Sequence, residues 1–143
     1  LSYDTVHLPD VMAVTAASAS LCLSEVPFEK PIAAVRVGML PPEEGEEGPG
    51  TFVVNPTREQ AAASKFDLVL AGTAEAVLMI EGFSDFLPEE LLLEGLEVGL
   101  AAVRTIALAI GAWTEEVGRP KHVEGLRAPP DGLKEEFARL RVT

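Results

Sequence analysis

Apolar positions recur along the chain in blocks of helical or strand spacing, separated by turn-forming residues. In chain order they predict a helix over 10–24, strands over 32–40 and 51–54, a short helix from Thr57, the strands FDLVLAG and AEAVLMIEGF, a helix over 88–118 and a helix at LKEEFARL. Local signals support the boundaries, since Pro9 and Asp10 suit a first helical turn and Thr57 with Gln60 has capping-box spacing.

The longest block predicts one long helix that packs along a single stripe. The stripe contains Leu92, Leu96, Gly99, Val103, Ile106, Ile110, Trp113 and Val117. Gly95 and Gly99 form a GxxxG pair, which outside a membrane indicates close packing on a neighbouring element. The run VGLAAVRTIALAIGAW is short and is interrupted by Arg104, so it predicts a buried helix in preference to a membrane span.

Residue character changes after Pro120, and a domain boundary is predicted near residue 119. Residues 1–119 form the predicted domain, and residues 120–143 read as a polar linker followed by the start of a helical segment. Residues 41–50, PPEEGEEGPG, predict an acidic solvated loop between two strands. The chain begins without methionine, in what reads as the tail of a strand, which indicates a fragment, a trimmed form or a processed product of a longer protein.

Composition narrows the possible chemistry. The chain has 143 residues and a net charge of −12, which argues against non-specific nucleic-acid binding by this piece. Cys22 stands alone among apolar neighbours, so we expect an inert buried thiol in a reducing cytosol. His7, His122 and Cys22 are too few for a zinc site, and neither histidine has an evident partner. No phosphate-binding P-loop and no GxSxG motif occurs, so an independent small hydrolase lacks its nucleophile–base pair.

Two blocks carry a resemblance to a known family. They are DVMAVTAASASLCLSEVPFEKPIAAVRVG and NPTREQAAASKFDLVLAGTAEAVLMIEG, and they resemble the later half of the first RNase PH-like domain in the bacterial polynucleotide phosphorylase family. The resemblance implies an α+β fold of the ribosomal-protein-like βαβ type. It also implies a half-domain with a mixed sheet, packed by helices and ending in a long C-terminal helix.

Working sites in that family are expected to carry two aspartates six residues apart that hold a divalent metal. This sequence has Glu59 and Lys65 at those positions, and an ammonium repels the cation. The resemblance therefore implies the silent copy, with no catalytic residue and no metal ligand in this segment. A remnant anion site near Ser18, Ser20 and Lys65 is one reading, and helix packing is the other. Asp67 is a candidate catalytic acid, but an acid within an apolar strand is more often paired structurally, and Arg36 is the expected partner.

The resemblance also implies a parent function. It is a cytoplasmic, phosphate-dependent 3′→5′ exoribonuclease and nucleotidyltransferase that forms a homotrimeric ring around RNA, with magnesium bound outside this segment and no membrane association. A second RNase PH-like copy and KH-type and OB-fold domains would follow. This segment would then serve ring assembly and the RNA path. The alternative is a non-enzymatic silent subunit or interaction module of an exosome-like ring.

Overall fold

The predicted order of helices and strands is confirmed. The computed structural model describes residues 2–42, 45, 48–127, 130 and 132–140. Its elements are α1 (Asp10–Leu23), β1 (Ala33–Leu40), β2 (Thr51–Val54), α2 (Arg58–Ala63), β3 (Phe66–Gly72), β4 (Val77–Ser84), α3 (Glu89–Val117) and α4 (Leu133–Leu140). The capping box forms as predicted, since the Thr57 side chain accepts from the Gln60 N–H and the Gln60 side chain accepts from the Thr57 N–H. The four glutamates of the predicted acidic loop lie outside the described residues.

The four strands form one sheet in the order β2-β1-β3-β4. All three pairings are antiparallel, so the α+β class is confirmed while the expected mixed pairing is not found among the described strands. Short connections explain the pairings of β1 with β2 and of β3 with β4. The links from β1 to β2 and from β3 to β4 are too short for a parallel crossover, which needs a dozen or more residues.

One face of the sheet packs against α3 and forms the main core. Alternate residues of β1, among them Val35 and Val37, point to this face together with Phe66, Leu70 and Val103. The GxxxG pair lets the helix approach closely, as predicted. A methyl group on Gly99 would lie 2.1 Å from Leu70 Cδ1, and no ordinary contact between carbon atoms is that short.

The far end of the predicted α3 stripe lies outside this core. Val103 and Ile110 are buried, whereas Trp113 is 49% exposed and Val117 is 55% exposed. Length explains the difference. A helix of 29 residues spans roughly 45 Å, whereas strands of eight residues reach only about 27 Å. No helix among the described residues has the length and hydropathy needed to cross a membrane.

The opposite face of the sheet is only partly covered, by α1. Val11 packs with Ala34 and Ala71 there, and Cys22 is a buried free thiol as expected. The segment after α3 returns to the C-terminal end of α1. Lys121 Nζ donates to the carbonyl oxygens of Leu21, Cys22 and Ser24 at 2.6–3.0 Å. This cation caps a helix whose own last turn has no basic residue. The boundary near residue 119 stays a prediction.

Candidate functional site

Side chains, not a strand, complete the N-terminal half of the outer edge of β1. β2 pairs only with the part of β1 from Val37 onward. Before that point Ser18 Oγ accepts from the Ile32 N–H at 2.8 Å, and Thr15 Oγ1 accepts from the Ala34 N–H at 3.1 Å and donates to its carbonyl at 3.4 Å. These contacts satisfy backbone groups that an unpaired edge would otherwise leave without partners.

Asn55 continues this row at the point where β2 ends. Its side-chain oxygen accepts from the Arg36 N–H at 3.0 Å, and its own N–H donates to the Arg36 carbonyl at 2.6 Å. The residue has a φ of +53°, a left-handed conformation that asparagine tolerates better than most residues. We call Ser18, Thr15 and Asn55 the edge-capping row.

The hydroxyl groups considered for a remnant anion site are therefore occupied within the fold. Ser18 is 4% exposed and holds Ile32, while the exposed Ser20 donates to the Ala16 carbonyl of its own helix at 2.9 Å. These contacts support the helix-packing reading for both serines.

Lys65 lies at the other end of β1. The preceding residue, Ser64, accepts from the Met39 N–H at 2.8 Å, whereas Ser18 holds Ile32. Seven residues of extended strand separate these two points, which is roughly 23 Å at about 3.3 Å per residue. The structure thus does not bring Ser18 and Lys65 together. An anion site that uses all three predicted residues stays a prediction without shared geometry.

Arg36 forms the densest polar cluster among the described residues. Its Nη1 donates to both carboxylate oxygens of Asp67 at 2.7 and 2.6 Å, and its Nη2 donates to Asp10 Oδ2 at 2.6 Å. The predicted Arg36–Asp67 pair is confirmed. In the antiparallel register Asp67 lies diagonally across from Arg36, within reach of a long side chain. The cluster ties the start of α1 to β1 and β3.

Electrostatics support a structural role for this cluster. Burial is the largest single effect on the Asp10 carboxyl and would raise its pKa, but the hydrogen bond and charge of Arg36 together with backbone N–H groups outweigh burial and hold that pKa below its ordinary value. Burial likewise opposes the charge on Arg36, yet Asp10 and Asp67 raise its pKa. One guanidinium between two carboxylates leaves a net negative charge, so the cluster does not attract phosphate. Arg36 Nε is buried without a partner among the described residues.

One histidine has a partner that the sequence did not reveal. His7 Nδ1 lies 2.7 Å from Asp4 Oδ2, which corrects the expectation that neither histidine is paired. The pKa of Asp4 is lowered to about 2, first by the hydrogen bond from the His7 side chain and then by backbone N–H groups. Both residues are exposed and belong to a local turn. They form a surface pair.

The positions expected to carry the metal-binding acids hold a glutamate and a lysine. Glu59 is exposed in the first turn of α2, and Lys65 is exposed between α2 and β3. No group of three or more acidic, histidine or cysteine side chains able to hold a metal ion occurs within residues 2–42, 45, 48–127, 130 and 132–140. Glu59 faces no carboxylate at position 65, and the Lys65 ammonium would oppose a divalent cation.

Sequence reasoning missed the long-range roles of Thr15, Asn55 and Lys121. Asn55 before Pro56 had a local signal, because an Asn-Pro pair favours a turn. Thr15 and Lys121 had no local signal in the sequence. Thr15 contacts a backbone group 19 residues away, and Lys121 contacts one about 100 residues away.

Fold and geometry define an antiparallel α+β domain with an internal polar scaffold, and comparison with known proteins places it in a family. Residues 30–102 match the family described as "3' exoribonuclease family, domain 2", which is about half of the chain. The chain belongs to this family, and the resemblance stated from the two sequence blocks is confirmed.

Three relatives that match most of this chain are named as polyribonucleotide nucleotidyltransferases. The chain is 46% identical over 132 residues to the polyribonucleotide nucleotidyltransferase of Protochlamydia amoebophila, 47% identical over 132 residues to "Probable polyribonucleotide nucleotidyltransferase 1, chloroplastic" of Oryza sativa subsp. japonica, and 45% identical over 133 residues to the polyribonucleotide nucleotidyltransferase of Chlamydia trachomatis serovar L2. These matches cover 92%, 92% and 93% of this chain but only 18%, 14% and 18% of the relatives. The chain thus spans less than a fifth of the proteins it matches.

Proposed function

We propose that this chain is a non-catalytic part of a phosphate-dependent 3′→5′ exoribonuclease, a polyribonucleotide nucleotidyltransferase that acts in RNA degradation. The family match and the names of the relatives support the activity of the parent. They also favour it over the alternative, a silent subunit of an exosome-like ring. Within the parent, this segment corresponds to the later half of the first RNase PH-like copy.

The observation that carries the non-catalytic assignment is Lys65. It takes the second position at which a working copy is expected to hold a metal-binding aspartate. A divalent ion at the scissile phosphate stabilises charge that develops during phosphorolysis. An exposed ammonium at that point supplies no ligand and adds repulsion. Magnesium would therefore bind in a part of the parent outside this chain.

A structural role fits the way the chain uses its polar groups. Arg36, Lys30 and Lys121 already contact carboxylates or backbone carbonyls. The net charge of −12 leaves little cationic surface for RNA phosphates. We assign the segment to assembly of a homotrimeric ring in the cytoplasm and to shaping the RNA path. Contacts with RNA and inorganic phosphate belong to other parts of the parent.

The purified chain tests the assignment. Incubated with poly(A), inorganic phosphate and magnesium, it is expected to release no ADP above a blank, because it contributes no metal-binding carboxylate at position 65. A Lys65→Ala chain prepared in parallel controls for contaminating host enzyme, since both preparations would carry it equally. ADP release that follows the chain through a second chromatographic step and is lost in the Lys65→Ala preparation would refute the proposal.

A further inference from the structure

Helix α1 ends without the residues that usually complete a helix C-terminus. Its last residue, Leu23, is followed by Ser24 and Glu25, so the glycine that is common at this point is missing, and the last turn of the helix has no basic residue. Ser24 is extended, with φ −80° and ψ 177°, so the backbone leaves the helix at once. Most of the final carbonyls of α1 therefore need donors from elsewhere in the fold.

Residues 119–122 supply these donors, although they lie about 100 residues further along the chain. The carbonyl oxygens of residues 21–25, five in a row, all accept from this short segment. Lys121 Nζ donates to three of them at 2.6–3.0 Å. The backbone N–H groups of Arg119 and His122 donate to the other two, at 3.0 and 2.7 Å. The segment thus acts as the C-terminal cap of α1.

The ammonium of Lys121 carries most of this contact. It has three N–H donors, and each one meets a carbonyl, so its donor set is fully used. Charge-assisted hydrogen bonds of this length are roughly twice as strong as neutral ones, and two of the three are partly buried. The neighbouring ion pair of Arg119 with Glu25 adds little, because its atoms lie 3.6 Å apart and its side chains are 72% and 63% exposed.

Pro120 shapes the segment for this contact. It stands between the two residues, Arg119 and Lys121, whose donors reach α1. Proline has no N–H that would need a partner, and its ring restricts φ to about −65°. A backbone that is already restricted loses less conformational entropy when it is held in one place. The segment therefore combines strong donors with a low ordering cost.

The contact pattern changes directly after His122. Residues 123–127 are all exposed, and this includes the apolar side chains of Val123 and Leu126, at 59% and 63%. The Leu126 N–H donates to the Val123 carbonyl at 3.3 Å, within one turn of chain. Residues 135–140 of α4 are exposed as well. A local turn of this kind does not tie the segment to the sheet, whereas residues 119–122 are bonded to a distant helix.

We propose that residues 119–122 form a clasp, locked by Lys121, and that this clasp is the last rigid part of the domain. The domain then ends at His122 and not near residue 119. The segment that contains α4 leaves from a fixed point at the C-terminal end of α1, because the clasp holds the backbone there. Lys121 is thus a positioning residue, which acts on the path of the chain through the α1 carbonyls. This inference does not rest on the proposed function.

Amide hydrogen exchange of the 143-residue chain, resolved by residue with NMR, tests the clasp. After correction for intrinsic rates, we expect the Arg119 and His122 amides to exchange at least about tenfold more slowly than those of residues 123–127. Lys121→Met keeps the length of the side chain and removes its donors, so it should speed both amides at least about tenfold. Lys30→Met is the matched control and should leave both rates unchanged, because Lys30 pairs only at the surface, with a carboxylate at 2.6 Å.

Core amides separate release of the clasp from a general loss of stability. Val35 and Val37 are fully buried in β1, so their amides exchange through global opening and should respond far less to Lys121→Met than the clasp amides do. Nitrogen-15 relaxation of the native chain decides even if the variant does not fold. We expect order parameters of about 0.85 through residue 122, as in a rigid backbone. Native clasp amides that exchange as fast as residues 123–127, low order parameters at 119–122, unchanged clasp rates in Lys121→Met, an equal rise at Val35 and Val37, or the same effect from Lys30→Met would each overturn the proposal.

Discussion

Replacing Ser18 by alanine tests the role of the edge-capping row most sharply. The Ser18 hydroxyl is the acceptor for the Ile32 N–H at 2.8 Å, and the residue is 4% exposed. Ser18→Ala therefore leaves the part-buried Ile32 N–H without its partner. Such a loss costs about 1–3 kcal/mol of unfolding free energy. At this chain length 1 kcal/mol corresponds to about 4 °C in the thermal midpoint.

Ser20→Ala is the matched control on the same helix. Ser20 is exposed, and its hydroxyl donates only to the Ala16 carbonyl of α1, which already has its helical partner. Alanine also has the higher helix propensity, by a few tenths of a kcal/mol. We expect Ser20→Ala to keep or slightly raise the free energy of unfolding measured by urea titration.

The comparison also decides between packing and anion binding for the two hydroxyls. If they held phosphate, inorganic phosphate would raise the thermal midpoint of the native chain and both substitutions would remove that rise. We expect no phosphate-dependent shift. Equal stability of Ser18→Ala and Ser20→Ala would refute the edge-capping argument.

Two further predictions concern the core and the Arg36 cluster. Gly99→Ala is expected to destabilise the chain by about 1–3 kcal/mol in urea unfolding, because the new methyl would lie 2.1 Å from Leu70 Cδ1. Gly111→Ala is its control and should stabilise the helix, since the nearest neighbouring atom lies 3.8 Å away; the same loss in both variants would contradict the packing account. Asp10 has a lowered pKa, so its stabilisation is present above the ordinary carboxyl pKa of about 4 and is lost as pH falls through the lowered value. Between roughly pH 5 and pH 3, Asp10→Asn should therefore lose less free energy of unfolding than the native chain does. The difference should be under about 1 kcal/mol, because the Asp10 side chain is 49% exposed. An unchanged pH profile would count against the ion pair.

Local patterns predicted most of the fold. The bounds of β2 and β3 match their apolar runs, and α2 begins at the predicted Thr57 capping box, because strand alternation and capping are written in neighbouring residues. The Arg36–Asp67 pair was also predictable, since two opposite charges on apolar strands need partners.

Contacts between residues far apart in the chain were harder to predict from the sequence. The prediction that the apolar stripe of α3 packs along its whole length was wrong at Trp113 and Val117, which are exposed. A helical pattern does not reveal where the sheet beneath the helix ends. The capping of β1 by Ser18 and Thr15 depends on how α1 lies along the edge. Hydroxyls at helical spacing look the same in sequence whether they hold a strand edge, a helix carbonyl or an anion.

Metal binding at positions 59 and 65 tests the central claim most directly. Calorimetric titration of manganese into the native chain should give no binding heat above dilution, because Lys65 repels the cation and Glu59 faces no second acid at that position. The double variant Glu59→Asp with Lys65→Asp restores the expected pair and should bind measurably. If the native chain binds manganese as tightly as the double variant, Lys65 does not silence the site, and the non-catalytic assignment is contradicted.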